Sequence, residues 1–207
     1  MSAHACRACG SSHVTLRGRK HGDFIQREFE FHQCRDCGLM FVEPFSGFEI
    51  YNDAYYRGRG PDPYVDYETE YRDWRASDRG LEFDDMARLA AEFFRSPISH
   101  PPSPTTAAPV RWLDFGCGSG AFLKYLREHG PIHGRPLELT GHDVGSYADL
   151  LKNHDRFRIL DLDELSREPS DRYDVISMIE VLEHLPHPHD PLALVARLLK
   201  PGGLLLL

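Results

Sequence analysis

The stretch VRWLDFGCGSGAF, residues 110–122, constrains the fold more than any other part of the chain. A short apolar run stops at three glycines spaced two apart, Gly116, Gly118 and Gly120, and a helical pattern follows at once. An apolar run ended by a turn signal reads as a buried strand. Glycines in the turn permit positive φ and remove the Cβ atoms that would hold a ligand away from the backbone. A helix starting directly behind such a loop turns its free N–H groups toward a carboxylate or phosphate.

From residue 110 onward the pattern keeps alternating. Strands are expected at 110–115, 137–142, 157–160, 173–178 and from 204, with helices at 120–129, 146–153 and 191–200. In the last helix Leu192, Val195, Ala196 and Leu199 recur at helical spacing, and KPGG supplies the stop. Alternation of this kind predicts an α/β fold, a doubly wound, mostly parallel Rossmann-like sheet covered on both faces.

Ligands of such sheets sit beyond the carboxyl ends of the strands, where strand order reverses, and the loop at 116–120 holds that place. Its spacing is G-x-G-x-G behind Asp114, not the dinucleotide form G-x-G-x-x-G. Asp143 follows Gly120 by 23 residues, where an acid can accept hydrogen bonds from two ribose hydroxyls. A nucleoside is the simplest ligand. After the third strand, Asp161 and Leu162 are placed to meet an adenine edge with a carboxylate and a backbone amide.

The first 45 residues are built differently. Cys6-x-x-Cys9-Gly and Cys34-x-x-Cys37-Gly form two matched knuckles, joined by alternating runs such as FEFHQC that predict a small hairpin. Each pair can wrap one edge of a tetrahedral zinc ion, and four thiolates close a structural site. A segment this short cannot fold on an apolar core alone, so a zinc-ribbon module is expected. His4, His13 and His32 lie near enough in sequence to substitute as ligands.

Between these parts, 46–60 reads as a connecting segment and 65–94 as two helices, with Tyr67, Tyr71 and Trp74 on one face and Met86, Leu89, Ala90 and Phe93 on another. Five prolines within 96–109 forbid a helix and mark a linker. The expected organisation is therefore a zinc-ribbon module over 1–45, a connecting segment over 46–109, and a cofactor-binding domain over 110–207.

The formal charge of −8 argues against a constitutive partner of nucleic acid or of an anionic membrane. Residues 1–50 carry six Lys and Arg against six Asp and Glu, so the ribbon is neutral. No run approaches the ~20 apolar residues of a membrane span and no signal sequence opens the chain, which places it in the cytoplasm. Nothing in the sequence sets an oligomeric state.

The ordered set LDFGCGSG, GHD, DLDEL, RYDVISMIEVLEHL and LLKPGGLLLL closely resembles the class I S-adenosylmethionine-dependent methyltransferases. The resemblance implies that Asp114, Gly116, Cys117, Gly118 and Gly120 hold the methionine end of the cofactor, Asp143 the ribose, and Asp161 and Leu162 the adenine. Met178 and Glu180, after the fourth strand, would border the transferred methyl. The string CRDCGLMFVEPF followed by YNDAYY resembles bacterial small-molecule methyltransferases with an N-terminal ribbon, many associated with sugar or natural-product pathways. Two other functions stand beside that one: an RNA methyltransferase guided by the ribbon, and a non-catalytic zinc-bearing module with a degenerate cofactor domain.

The pattern Glu180-x-x-Glu183-His184 resembles one that holds a divalent metal in small-RNA and ubiquinone-pathway O-methyltransferases. Mg²⁺ at Glu180, Glu183 and His184 is thus an expectation to be set against a purely structural role. Methyl transfer from a sulfonium needs alignment and exclusion of water more than acid–base chemistry. If the acceptor is a hydroxyl or an acidic carbon, His184 is the best-placed base. Tyr51, Tyr55 and Tyr56 are candidates to cap the site. The run ending at Leu207 falls in the fifth strand of the resembled fold, so the chain is expected to be a fragment and an incomplete catalyst.

Overall fold

The computed structural model describes residues 5–45, 47, 52–62, 66–95, 108–145, 151 and 157–207. His4, Tyr51, nearly all of the predicted helix at 146–153 and most of the proline-rich stretch at 96–109 lie outside the described residues.

Three antiparallel strands, β1 (Val14–His21), β2 (Glu28–Cys34) and β3 (Met40–Glu43), form the first sheet in the order β1-β2-β3. Short helices follow: α1 (Asp53–Tyr56), α2 (Tyr67–Arg72) and the long α3 (Arg79–Arg95). The α1 turn interrupts the segment expected to be irregular. Asn52 makes it possible, because its side-chain oxygen accepts from the backbone N–H of Ala54 and Tyr55.

The second sheet is wholly parallel. Its strands are β4 (Val110–Phe115), β5 (Leu137–His142), β6 (Arg158–Leu160), β7 (Tyr173–Ser177) and β8 (Leu199–Leu206), in the order β6-β5-β4-β7-β8. The helices α4 (Ala121–His129), α5 (Leu162–Ser166) and α6 (His189–Leu198) alternate with them. Successive side chains of β4 point to opposite faces, and both faces are buried. Trp112 packs with Phe83, Ala87 and Ala90 of α3 and with Phe122 and Tyr125 of α4. Leu113 packs with Ile176, Val195 and Leu198 on the other side. Both halves of the doubly covered sheet are thus present, and β4 lies at its centre.

Two helical faces differ from expectation. In α3 the buried stripe is Gly80, Phe83, Ala87 and Ala90, and Leu89 is 46% exposed. Steps of three, four and three residues keep those side chains in one line, whereas Leu89 is rotated about 100° from Ala90. In α6 the buried residues are Val195 and Leu198, and Ala196 faces out. The helix stops before Leu199, which already pairs with Tyr173 of β7, and Lys200 to Gly203 are absorbed in a register irregularity before Leu204 pairs with Val175. A bulge of this kind tolerates proline and glycine inside a strand.

Candidate active site

β4 is paired with β5 on one side and β7 on the other, so strand order reverses at its carboxyl end. A cavity of about 730 Å³ opens there, within the usual range for small-molecule sites. Gly116, Gly118 and Gly120 all adopt positive φ, at 83°, 50° and 77°. Their surroundings assign them different work. A Cβ on Gly116 would lie 2.4 Å from Cγ2 of Val181, and one on Gly120 would lie 2.7 Å from Cδ1 of Leu151. A Cβ on Gly118 would meet nothing within 4 Å. Gly116 and Gly120 are glycines so that the protein can pack, while Gly118 presents bare backbone to the cavity.

The loop is tied to β5. The N–H groups of Gly116 and Cys117 donate to the carbonyl of His142 at 2.7 and 2.9 Å. Asp143 accepts from Gly118 N–H at 2.8 Å through one carboxylate oxygen and from Gly145 N–H at 2.7 Å through the other. Each oxygen keeps a further lone pair, so the carboxylate remains able to accept from a ligand.

Asp114 is the unusual charge of the site. It is buried, lines the cavity, and accepts a hydrogen bond from Ser177 Oγ at 2.7 Å; Ser177 Oγ in turn accepts from Trp112 Nε1 at 3.0 Å. Burial raises its carboxyl from 3.8 to about 7, the Ser177 bond opposes the rise, and the charge of Asp143 adds to it. A carboxylate so poorly solvated gains from any cation that enters the cavity. The site therefore offers a cation anchor at Asp114, bare backbone at Gly118 and a hydroxyl-accepting carboxylate at Asp143. These are the groups that an amino acid joined to a nucleoside requires.

The model of the family described as Methyltransferase domain matches residues 71–207. The chain belongs to this methyltransferase domain family. A ubiquinone biosynthesis O-methyltransferase of Coxiella burnetii is 36% identical over 98 residues, 44% of this chain and 39% of that protein. One from Nitrosococcus oceani is 30% identical over 144 residues, 66% of this chain and 56% of that protein. The chain thus spans about two to three fifths of the length of these relatives. An S-adenosylmethionine-bound amino pentose methyltransferase from Micromonospora echinaspora gives a TM-score of 0.47 at 23% identity, over 67% of this chain and 54% of that one.

Of the residues expected to hold the cofactor, Asp114, Gly116, Cys117, Gly118, Asp143, Leu162 and Glu180 line the cavity, as does His184, the expected base. Gly120, Asp161 and Met178 do not. Gly120 stands at the left-handed residue that starts α4. Asp161 caps α5 in a reciprocal box with Glu164, each side chain accepting from the other's backbone N–H. Met178 is 2% exposed and packs in the core beneath the sheet. Tyr56, buried beside Asp143, lines the cavity, and Tyr55, also buried, lies beside it with their ring centroids 6.0 Å apart.

Arg79 and His142 are wall residues that the sequence reading missed. Arg79 of α3 reaches Glu180 at 2.7 Å, Glu82 at 2.5 Å and Glu70 at 3.6 Å. Glu180 has φ 52°, a left-handed conformation that costs a non-glycine residue about 1–2 kcal/mol. A second cavity, about 620 Å³, shares Tyr67, Glu70, Arg79, Glu180 and His184 with the first and adds Glu183.

The expected divalent-metal cluster is not assembled. Among the described residues, the one group of metal-ligating side chains whose ligand atoms lie within 4.8 Å of one another is Cys6, Cys9, Cys34 and Cys37. The Glu180 carboxylate is occupied by the Arg79 guanidinium, and His184 lies 4.0 Å from Glu183. The Mg²⁺ expectation at Glu180, Glu183 and His184 is therefore set aside.

The cysteines meet the demands of their pattern. Sulfurs of Cys6 and Cys37, and of Cys9 and Cys34, stand 3.6 Å apart. Ligands 2.3 Å from a tetrahedral zinc ion are about 3.8 Å apart, so the spacing fits that ion. Gly10 and Gly38 close the two knuckles at φ 72° and 80°. Backbone N–H groups of Cys37 and Asp36 hold the Cys34 thiol well below its ordinary value, favouring its thiolate, whereas the thiols of Cys9 and Cys37 are shifted up.

Proposed function

We propose that this chain is an S-adenosylmethionine-dependent methyltransferase acting on a hydroxyl of a small molecule, with a structural zinc ion held by Cys6, Cys9, Cys34 and Cys37. We read it as a ribbon over 1–45, connecting helices over 46–109 and a cofactor-binding unit from 110, placed in the cytoplasm; no described helix is long and apolar enough to cross a membrane. The observation that carries the reading is the open face of Gly118 between the carboxylates of Asp114 and Asp143 at the carboxyl end of β4. That the ubiquinone-pathway relatives are O-methyltransferases supports oxygen as the acceptor atom. The neutral ribbon favours a small acceptor over RNA.

Bound cofactor supplies a methyl group already activated on a sulfonium. In this reading Asp114 pairs with the α-ammonium of its amino-acid end. Gly118 lets its chain approach the backbone, and Asp143 accepts from the ribose hydroxyls. Leu162 lies toward the base, with Asp161 fixing the start of the helix that carries it. Phe83, Phe122 and Val181 keep water from the reacting end. His184, on the wall common to both cavities, accepts the proton of the acceptor hydroxyl, and the acceptor enters from the second cavity.

Calorimetry with S-adenosylmethionine tests the reading on the zinc-loaded chain. Binding in the micromolar range that is lost in Asp143→Ala is expected. Zinc-loaded, folded protein that binds no cofactor would overturn it in favour of a non-catalytic module.

A further inference from the structure

We propose that His142 reads the base of the bound nucleoside, its Nε2 accepting a hydrogen bond from a purine 6-amino group. The proposal rests on the cofactor reading above and adds a specificity residue to it. His142 ends β5 and is 3% exposed. Its Nδ1 lies 2.9 Å from the carbonyl oxygen of Leu160. A carbonyl only accepts, so Nδ1 carries the hydrogen, and in the neutral ring Nε2 holds a lone pair. The Phe115 ring packs against the imidazole, with centroids 4.6 Å apart and planes tilted by 54°, and limits its rotation.

The main-chain oxygen of His142 is already taken by Gly116 and Cys117. Nε2 is not. Among the described residues no group bonds to it, nor does it belong to the buried polar atoms sealed away without a partner, and the residue lines the cavity. A buried nitrogen with a free lone pair bordering a cavity is an acceptor waiting for a donor.

Position says which part of the ligand supplies that donor. On one side of His142 is Asp143, which faces the loop and would take the sugar. On the other is Leu160, whose strand runs into Asp161 and α5, and Leu162 and Ser166 of that helix line the cavity. A nucleoside with its sugar at Asp143 and its base toward α5 crosses His142. Phe115 and Leu162 offer the flat apolar surface a purine fills. An amino group at position 6 satisfies the lone pair, whereas an oxo group there presents a second acceptor against it. The same geometry therefore selects adenine over hypoxanthine.

Calorimetry of S-adenosylhomocysteine against its 6-oxo counterpart, S-inosylhomocysteine, tests this on zinc-loaded wild type, His142→Phe and His142→Gln. Wild type is expected to prefer the amino compound by at least about tenfold, since one unmet hydrogen bond in a buried site costs about that factor. In His142→Phe the preference should shrink to within about twofold, with the loss borne by the amino compound. Because a variant can lose structure, ¹⁵N spectra of the wild-type histidines give a second readout. The Nε2 resonance of His142, assigned by its absence from the His142→Gln spectrum, should move toward the hydrogen-bonded range with S-adenosylhomocysteine and stay unmoved with the 6-oxo compound. A preference retained in His142→Phe, or an Nε2 signal indifferent to the amino ligand, overturns the assignment. Wild type that binds neither compound overturns the cofactor reading itself.

Discussion

The ribbon and the parallel sheet hold themselves together by opposite means. The ribbon's buried cluster consists of Cys6, Cys34 and Phe41, with Ala8 and Val14 against it. The sheet buries Trp112, Phe122, Tyr125 and Leu126 on one face and Leu113, Ile176, Met178 and Leu198 on the other. A few side chains cannot offset the entropy of ordering three strands, whereas two covered faces can. The difference teaches that two of the ribbon's buried residues belong to the four-cysteine group that could hold a metal ion, while the sheet has apolar packing to spare and can leave polar groups facing a cavity.

The sharpest way to break this comparison is to withdraw the zinc ion proposed for the four cysteines. Structural zinc in small modules contributes about 10 kcal/mol or more of apparent folding energy. Chelation, or Cys34→Ser, should therefore unfold Val14–Glu43 and leave the sheet intact. Hydrogen exchange checks it: protection over β1 and β2 should vanish while that over Val110–Phe115 persists. Joint loss of both, or of neither, would contradict the division.

The sheet was the more legible of the two in the sequence, and for a physical reason. β4 and β5 run over the residues expected because period and composition decide a buried strand locally. The cap at Asp161 was legible too, since Asp161-x-x-Glu164 is itself a capping-box spacing. Arg79 could not. It meets Glu180 across 101 residues, and no local pattern announces such a pair or the left-handed turn it accompanies. His142 was hidden for a similar reason, because its tautomer depends on a carbonyl of the next strand.

Within the sheet, the cofactor role proposed for Asp114 would come at a cost to stability. Its carboxyl titrates near 7 when folded and near 3.8 in an ordinary environment, so between those values the folded chain holds a proton that the unfolded chain releases. The contribution of this one group to the stability of the ligand-free chain is full below about pH 4 and falls as pH rises to about 7, by at most about 4 kcal/mol. Asp114→Asn should remove this slope, raising the melting temperature at pH 8 while weakening S-adenosylmethionine about a hundredfold or more. A variant that melts lower than wild type at pH 8 would show that the carboxylate stabilises the fold after all.

The glycine loop repeats the contrast between packing and binding inside five residues. Gly116→Ala forces a Cβ onto Val181 at positive φ and should cost about 2–4 kcal/mol of stability. Gly118→Ala meets only open cavity, so its cost to folding is about 1 kcal/mol and its main effect falls on cofactor affinity. Paired melting and calorimetry of the two variants distinguish these roles. Equal losses of stability would erase the distinction.

The smallest effect concerns how α3 is joined to the rim of the site. The Arg79 side chain is 22% exposed and that of Glu180 57%, so their ion pair, though 2.7 Å long, is screened and worth no more than about 1 kcal/mol. Its consequence lies in where it holds the backbone. Glu180→Gly frees the left-handed position of its strain, so Arg79 should then have less to secure. A double-mutant cycle expresses this directly: Arg79→Gln should weaken cofactor binding severalfold in the wild-type background and have little effect when residue 180 is glycine. Equal losses in both backgrounds would mean that Arg79 acts through Glu70 and Glu82 alone, and that α3 meets the rim without controlling it.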